Sequence, residues 1–132
     1  MKKLNRGEGI DLLRKFLKVN TGILKWYRLV KPHIKAIVFY GSTAKGLNKS
    51  GSDLDLLIFV PLEIEKKFTK GEYVYTFYGR KIDIVLRSIE KLRLLADDKD
   101  KKFEREVFRD CEILHEADAE VSKLIKKMLN NK

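Results

Sequence analysis

The sequence predicts an α+β fold, one mixed β-sheet covered by helices. Two short, β-branched apolar runs lie between proline and glycine boundaries, two further runs alternate with period two around a glycine, and amphipathic helical spacing occupies both ends of the chain. No repeat, linker or low-complexity tract interrupts this order, so the 132 residues are expected to form one domain of ordinary size.

The elements follow in order. In "EGIDLLRKFLK", about residues 8–18, Ile10, Leu13, Phe16 and Leu17 recur at helical spacing among charged residues, as an amphipathic helix requires. "TGILKWYRLV" predicts a second helix that ends before Pro32, because the residue preceding proline is disfavoured in the α region. Trp26 and Tyr27 are expected to pack it. Residues 34–40, "IKAIVFY", predict a buried strand, and "DLDLLIFV", closed by Pro61, predicts another. Between them "GSTAKGLNKSGS" reads as a loop with one helical turn at residues 43–46. "EYVYTFY" and "KIDIVLR" flank Gly79-Arg80 and predict an antiparallel hairpin. Residues 88–95 and about 100–109 read as helices, "CEILHE" as a short strand, and about 117–130 as a closing amphipathic helix.

Charge is unevenly placed. Residues 1–50 hold 12 Lys and Arg against Glu8 and Asp11, while residues 51–132 hold 17 of each sign, so the whole excess of +10 lies in the first 50. A positive field of this kind attracts nucleotide phosphates, nucleic acid or an acidic protein face; a solvated lysine-rich surface has the same composition. Cys111 has no partner for an internal disulfide and, with His33 and His115, does not make a structural zinc site. It is expected to be a small buried apolar residue, and both histidines to be structural or surface groups. No apolar run reaches membrane-spanning length and the charged beginning of the chain has no apolar signal core, so a soluble cytoplasmic protein without a membrane role is expected.

Two aspartates, Asp53 and Asp55, open the second apolar strand. Side chains alternate along a strand, so both point to one side, and Leu54 and Leu56 to the other. Buried and unpaired, such carboxylates would each cost several kcal/mol or take up a proton. A divalent cation relieves the conflict, and hard oxygen donors suit Mg²⁺, which completes its shell with water and phosphates. Asp83 in "KIDIVL" repeats the arrangement. If its strand lies beside the first pair, three acids share one edge of the sheet. Such a set around one or two Mg²⁺ ions suits in-line phosphoryl or nucleotidyl displacement.

Gly41-Ser42 ends the first strand where a backbone can approach a ligand closely, and Lys45 adds a point charge. Gly41 and Gly46 have P-loop spacing, but Leu47 and Asn48 replace the required Lys and Ser/Thr, so this is no Walker motif. "DLDLL" fails as a calcium loop because Leu57 stands at the third ligand position. Tyr40 is placed to pack near a base or in the core. Glu63 and Glu65 are expected to be solvated and outside the site.

Gly41-Ser42, ten intervening residues, Asp53-Leu-Asp55 and a later strand acid at Asp83 resemble the signature of the DNA polymerase β-like nucleotidyltransferase superfamily. "GSTAKG…SDLDLLIFV" is more narrowly similar to the minimal nucleotidyltransferases, with the resemblance covering about residues 34–86. "FEREVFRDCEILHE" is similar to that family's closing helix and strand. The resemblance implies a polymerase β-like fold, triphosphate binding at Gly41 and Ser42 with Lys45 in place of the usual Arg, and Mg²⁺ held by Asp53 and Asp55. Asp83 would complete the metal site and assist the nucleophile. It further implies ATP as substrate and transfer of AMP to a tyrosine of a separate HEPN-type helical toxin, with this chain as the antitoxin. Transfer to a small molecule or an RNA end, the latter favoured by the basic first 50 residues, and toxin or nucleotide binding without turnover are the alternatives. The basic helix that precedes the motif has no role assigned by it.

Overall fold

Strand β2 (Leu54–Val60) is buried on both faces beyond Asp55, which is why it reads there as a continuous apolar run and not an alternating one. It lies at the centre of a five-stranded sheet in the computed structural model, which describes residues 3–20, 23–48, 52–68 and 72–130. The other strands are β1 (Ala36–Tyr40), β3 (Glu72–Phe77), β4 (Arg80–Ser88) and β5 (Glu112–Glu116), in the spatial order β3-β4-β2-β1-β5. Strands β2 and β4 run parallel, and the other neighbours are antiparallel, so the sheet is mixed as expected.

The two faces of the sheet carry separate cores. Leu54, Leu56, Ile58 and Val60 join Ile82, Ile84 and Leu86 of β4 on the first face. That face is covered by helix α1 (Arg6–Asn20), through Leu13 and Phe16, and helix α2 (Lys25–Val30), through Tyr27 and Val30. The one-turn helix α3 (Ser42–Lys45) and helix α4 (Leu62–Lys67) contribute Ala44 and Ile64 to the same core. Leu57 and Phe59 face the other way, with Ala36 and Val38, into a core closed by helix α5 (Ile89–Asp97), helix α7 (Glu120–Asn130) and Phe108, just past helix α6 (Lys102–Glu106). Trp26 stacks on Tyr73 at 4.0 Å and donates its indole N–H to the Tyr75 hydroxyl, fastening α2 to β3.

Boundaries show where local chemistry outweighs apolar pattern. Asn5 and Glu8 form a reciprocal capping box (Glu8 N–H to Asn5 Oδ1 2.8 Å, Asn5 N–H to Glu8 Oε1 3.0 Å), so α1 starts at Arg6, ahead of its apolar stripe. Helix α2 ends at Val30, and Pro32 sits in a 3₁₀ turn, Lys31–His33, that shortens the expected first strand to Ala36–Tyr40. Thr21 and Gly22, in the expected start of α2, and Lys49, Ser50 and Gly51, in the expected loop, lie outside the described residues. The hairpin turns at Tyr78-Gly79, one residue earlier than expected; both have positive φ (50° and 74°), and Arg80 already pairs with Phe77. Helix α5 is capped by Ser88, whose Oγ accepts from the Lys91 N–H at 3.0 Å. No helix among the described residues is long and apolar enough to cross a membrane.

The two-core arrangement makes a direct stability prediction. Leu56 is fully buried, whereas Leu94 on α5 is 72% exposed. Leu56→Ala is expected to cost about 3 kcal/mol in urea unfolding, and Leu94→Ala no more than about 0.5 kcal/mol.

Candidate functional site

The site grows from the register of the central strands. Asp55 lies opposite Tyr40 across the β1–β2 pair and opposite Asp83 across the β2–β4 pair. Being odd-numbered, it shares the face of Leu57 and Phe59, but α5 and α7 cover that face further along the strand, so Asp55 and Asp83 are only half-buried. Asp53, just before β2, joins them at the same end of the sheet. The Lys81 ammonium, two residues before Asp83, reaches to 3.6 Å from Asp53 Oδ2.

Above this edge the chain leaves β1. Gly41 has φ +87°, and a Cβ built on it would lie 2.3 Å from Asp55 Oδ2. Both the backbone conformation and the space therefore require glycine. Ser42, exposed, opens α3, and buried Thr43 points its Oγ1 at the Asp53 carbonyl at 3.4 Å. The expected helical turn is present, one residue earlier, and Gly41 just before it lies against Asp55.

Burial, then the charges of Asp83 and Asp53, push the Asp55 carboxyl from its ordinary 3.8 up to about 6, with Lys81 pulling the other way. Burial, followed by Asp55 and Asp83, raises the Tyr40 hydroxyl to about 12, so it keeps its proton. This mutual repulsion among oxygen donors is the chemistry that a hard divalent cation relieves, and Asp53, Asp55 and Asp83 are suitable donors for one. Their side chains do not close on a common point: among the described residues no three His, Cys, Asp or Glu groups stand together in a metal-holding cluster.

The remaining sequence candidates are more scattered. Lys45 sits at the far end of α3, its ammonium donating to the Glu106 carbonyl at 3.0 Å instead of facing the acids. Tyr40 lines an open groove of about 600 Å³ with Leu57, Arg87, Lys91, Phe103 and Phe108, on the same face as the acids. His33 and His115 are exposed and away from it, and Cys111 packs partly buried against the second core, its thiol pushed up to about 11 by burial. Glu65 departs from the expected solvated state. Its side chain is 13% exposed, with Oε1 2.7 Å from the Lys91 ammonium, because residues 62–67 form a helix that turns it toward α5. The sequence reading passed over Thr43 and Lys81. The period-two rule that joined Asp53 to Asp55 also places Lys81 beside Asp83, whereas nothing in the sequence marks Thr43.

The raised Asp55 carboxyl makes stability pH-dependent. Between 3.8 and about 6 the native state holds more protons than the unfolded chain, so stability falls as pH rises through that window. In EDTA at pH 8, Asp55→Asn is expected to be more stable than the parent protein by about 1 kcal/mol, a value discounted for the half-exposed position. Thermal melts should show the gap closing below pH 4.

No curated protein matches the sequence. The fold is similar to the crystal structure of a nucleotidyltransferase-like protein from Exiguobacterium sibiricum, with a TM-score of 0.59 at 12% identity. The match covers 93% of this chain but only 39% of that one, so this chain spans well under half its length. A structure of a toxin-antitoxin with AMP-PNP matches at a TM-score of 0.44 and 16% identity, over 91% of this chain and 83% of that one. The family model described as nucleotidyltransferase domain runs over residues 13–128, from within α1 to within α7, and on that match the chain belongs to the nucleotidyltransferase domain family.

Proposed function

We propose that this chain transfers AMP from ATP to a tyrosine hydroxyl of a partner protein, and that the partner is a HEPN-type helical toxin whose antitoxin it is. Membership of the nucleotidyltransferase family supports the reaction class, a family that generally uses a nucleoside triphosphate and a divalent metal. The observation that carries the reading to particular residues is the register: Asp83 lies opposite Asp55, and Gly41 passes directly over Asp55. The minimal-nucleotidyltransferase wording of "GSTAKG…SDLDLLIFV" supports the protein acceptor.

In this reading Gly41 lets the backbone pass close to the triphosphate, and Ser42, exposed beside it, contacts the phosphate oxygens. Asp53 and Asp55 would hold Mg²⁺, which when bound would offset negative charge on the phosphates. Asp83 orients the acceptor hydroxyl and takes its proton as the oxygen bonds to the α-phosphorus and pyrophosphate leaves. Tyr40, protonated throughout, offers a donor and an aromatic wall at the start of the groove. Lys45 would serve the phosphates only after leaving the Glu106 carbonyl, and Lys81, beside Asp53, is the nearer cation for that task. Transfer to an RNA end is the second reading, favoured by the excess positive charge of the first 50 residues.

The test is transfer of label from α-labelled ATP, with Mg²⁺, to the protein encoded beside this one, with RNA in a parallel tube. Label is expected on the protein, as a mass increase of one or more AMP. Asp53→Asn or Asp55→Asn should lower it by on the order of 100-fold or more without loss of folding by circular dichroism. Undiminished labelling in both variants would refute the assignment, and label on RNA alone would favour the second reading.

A further inference from the structure

Helix α1 begins before the residues matched to the family and before the motif that resembles it. Its first residue, Arg6, nevertheless holds the turn on which the proposed nucleotide site depends. Arg6 Nη1 donates to the Ala44 carbonyl of α3 at 2.8 Å and also to the Asp110 carbonyl, while Nη2 lies 2.9 Å from Glu112 Oε2 at the start of β5. One guanidinium thus ties α3 to the segment that enters β5, a segment more than 100 residues from Arg6 in sequence. A planar fork of five N–H donors can make such a bridge, whereas an ammonium at the end of a flexible stem lacks that fixed fork.

The surroundings are arranged to keep the fork in place. The Asn5–Glu8 capping box sets the backbone on either side of Arg6. Gly9, one turn later, lets α1 close on α3: a Cβ there would lie 3.2 Å from Phe39 and 3.3 Å from Thr43. Asn48 Nδ2, just past α3, donates to the Leu4 carbonyl at 2.7 Å, a second tie between the same two segments. At the other end of the bridge, Asp110 adopts a left-handed conformation (φ 63°) that a non-glycine residue enters at a cost, with its carbonyl turned to the guanidinium.

Helix α3 is one turn of four residues, too short to hold its own conformation in water. Its position over Asp55 is therefore set by what grips it from outside. Arg6 touches neither the acids nor Ser42, so its action on them passes through α3. We infer that Arg6 is a positioning residue for nucleotide binding: it holds α3 so that Gly41 and Ser42 stay over Asp55. This gives the N-terminal helix a role in the reaction, and it rests on the reading that Gly41 and Ser42 contact the nucleotide.

The experiment compares the parent protein with Arg6→Ala, Arg6→Lys and Arg14→Ala, the last an exposed arginine of the same helix that does not touch α3. Affinity for Mg-ATP is measured by calorimetry and the dependence of transfer on ATP by labelling, each at a fixed interval below the variant's own Tm. Arg6→Ala is expected to raise Kd and KM by on the order of 10-fold, with kcat at saturating ATP within about 2-fold. Arg6→Lys should recover only part of the loss, and Arg14→Ala should match the parent. A lowered Tm with unchanged Kd and KM in Arg6→Ala would reduce Arg6 to a fold-stabilising contact and overturn the inference. Failure of the parent protein itself to bind Mg-ATP would overturn it together with the proposed nucleotide site, so the two failures are distinguishable.

Discussion

The closeness of the Gly41 backbone to the Asp55 carboxylate constrains the rest of the molecule. There is no room for a methyl group between them, so the end of β1 and the start of β2 are locked at a spacing that only hydrogen tolerates. An antiparallel pair with Tyr40 opposite Asp55 is the arrangement that produces this approach. Once it is made, Asp55 has a strand on either side, and the parallel partner brings Asp83 to the same level. The cost is electrostatic. Three carboxylates near one edge repel one another, and the protein lessens that cost by leaving the edge half-open to water and setting Lys81 beside Asp53.

The division of the sheet into two cores explains why such an edge is stable. Even-numbered residues of β2 and β4 are packed under α1 and α2 and hold the strands together whatever happens on the opposite face. Odd-numbered residues begin as acids and continue as Leu57 and Phe59, so one alternation carries charge at one end and apolar packing at the other. The helices that cover this second face reach the apolar portion and stop short of the acids. Apolar burial thereby holds a charged cluster at a fixed place without enclosing it.

Period two was the legible part of the sequence. It placed the two aspartates on one side, marked the hairpin, and made the third acid a neighbour once its strand was paired. Glycine followed by serine at a strand end was equally plain, because few other residues can make that turn. Less was readable where a side chain's direction is decided by distant backbone. Lys45 follows the motif, but a carbonyl on α6 claims its ammonium. Glu65 reads as solvated because it is a charged residue among lysines, but the α4 helix folds it against Lys91. The hairpin turn moved to Tyr78-Gly79 because both residues accept positive φ there, and an aromatic residue gives no such signal. Arg6 was one basic residue among many, and no local pattern distinguishes a three-way bridge from a solvated charge.

The span of the Arg6 bridge also bears on the order in which the molecule can be completed. Its acceptors at Asp110 and Glu112 lie more than 100 residues along the chain from the guanidinium. During synthesis, which delivers the N-terminal end first, α1, α3 and the acids of β2 emerge well before the segment that fastens them. Contacts of such separation contribute only after their loop-closure entropy has been paid. The turn over Asp55 can therefore take shape early but acquires its final bracing only when β5 has docked against β1.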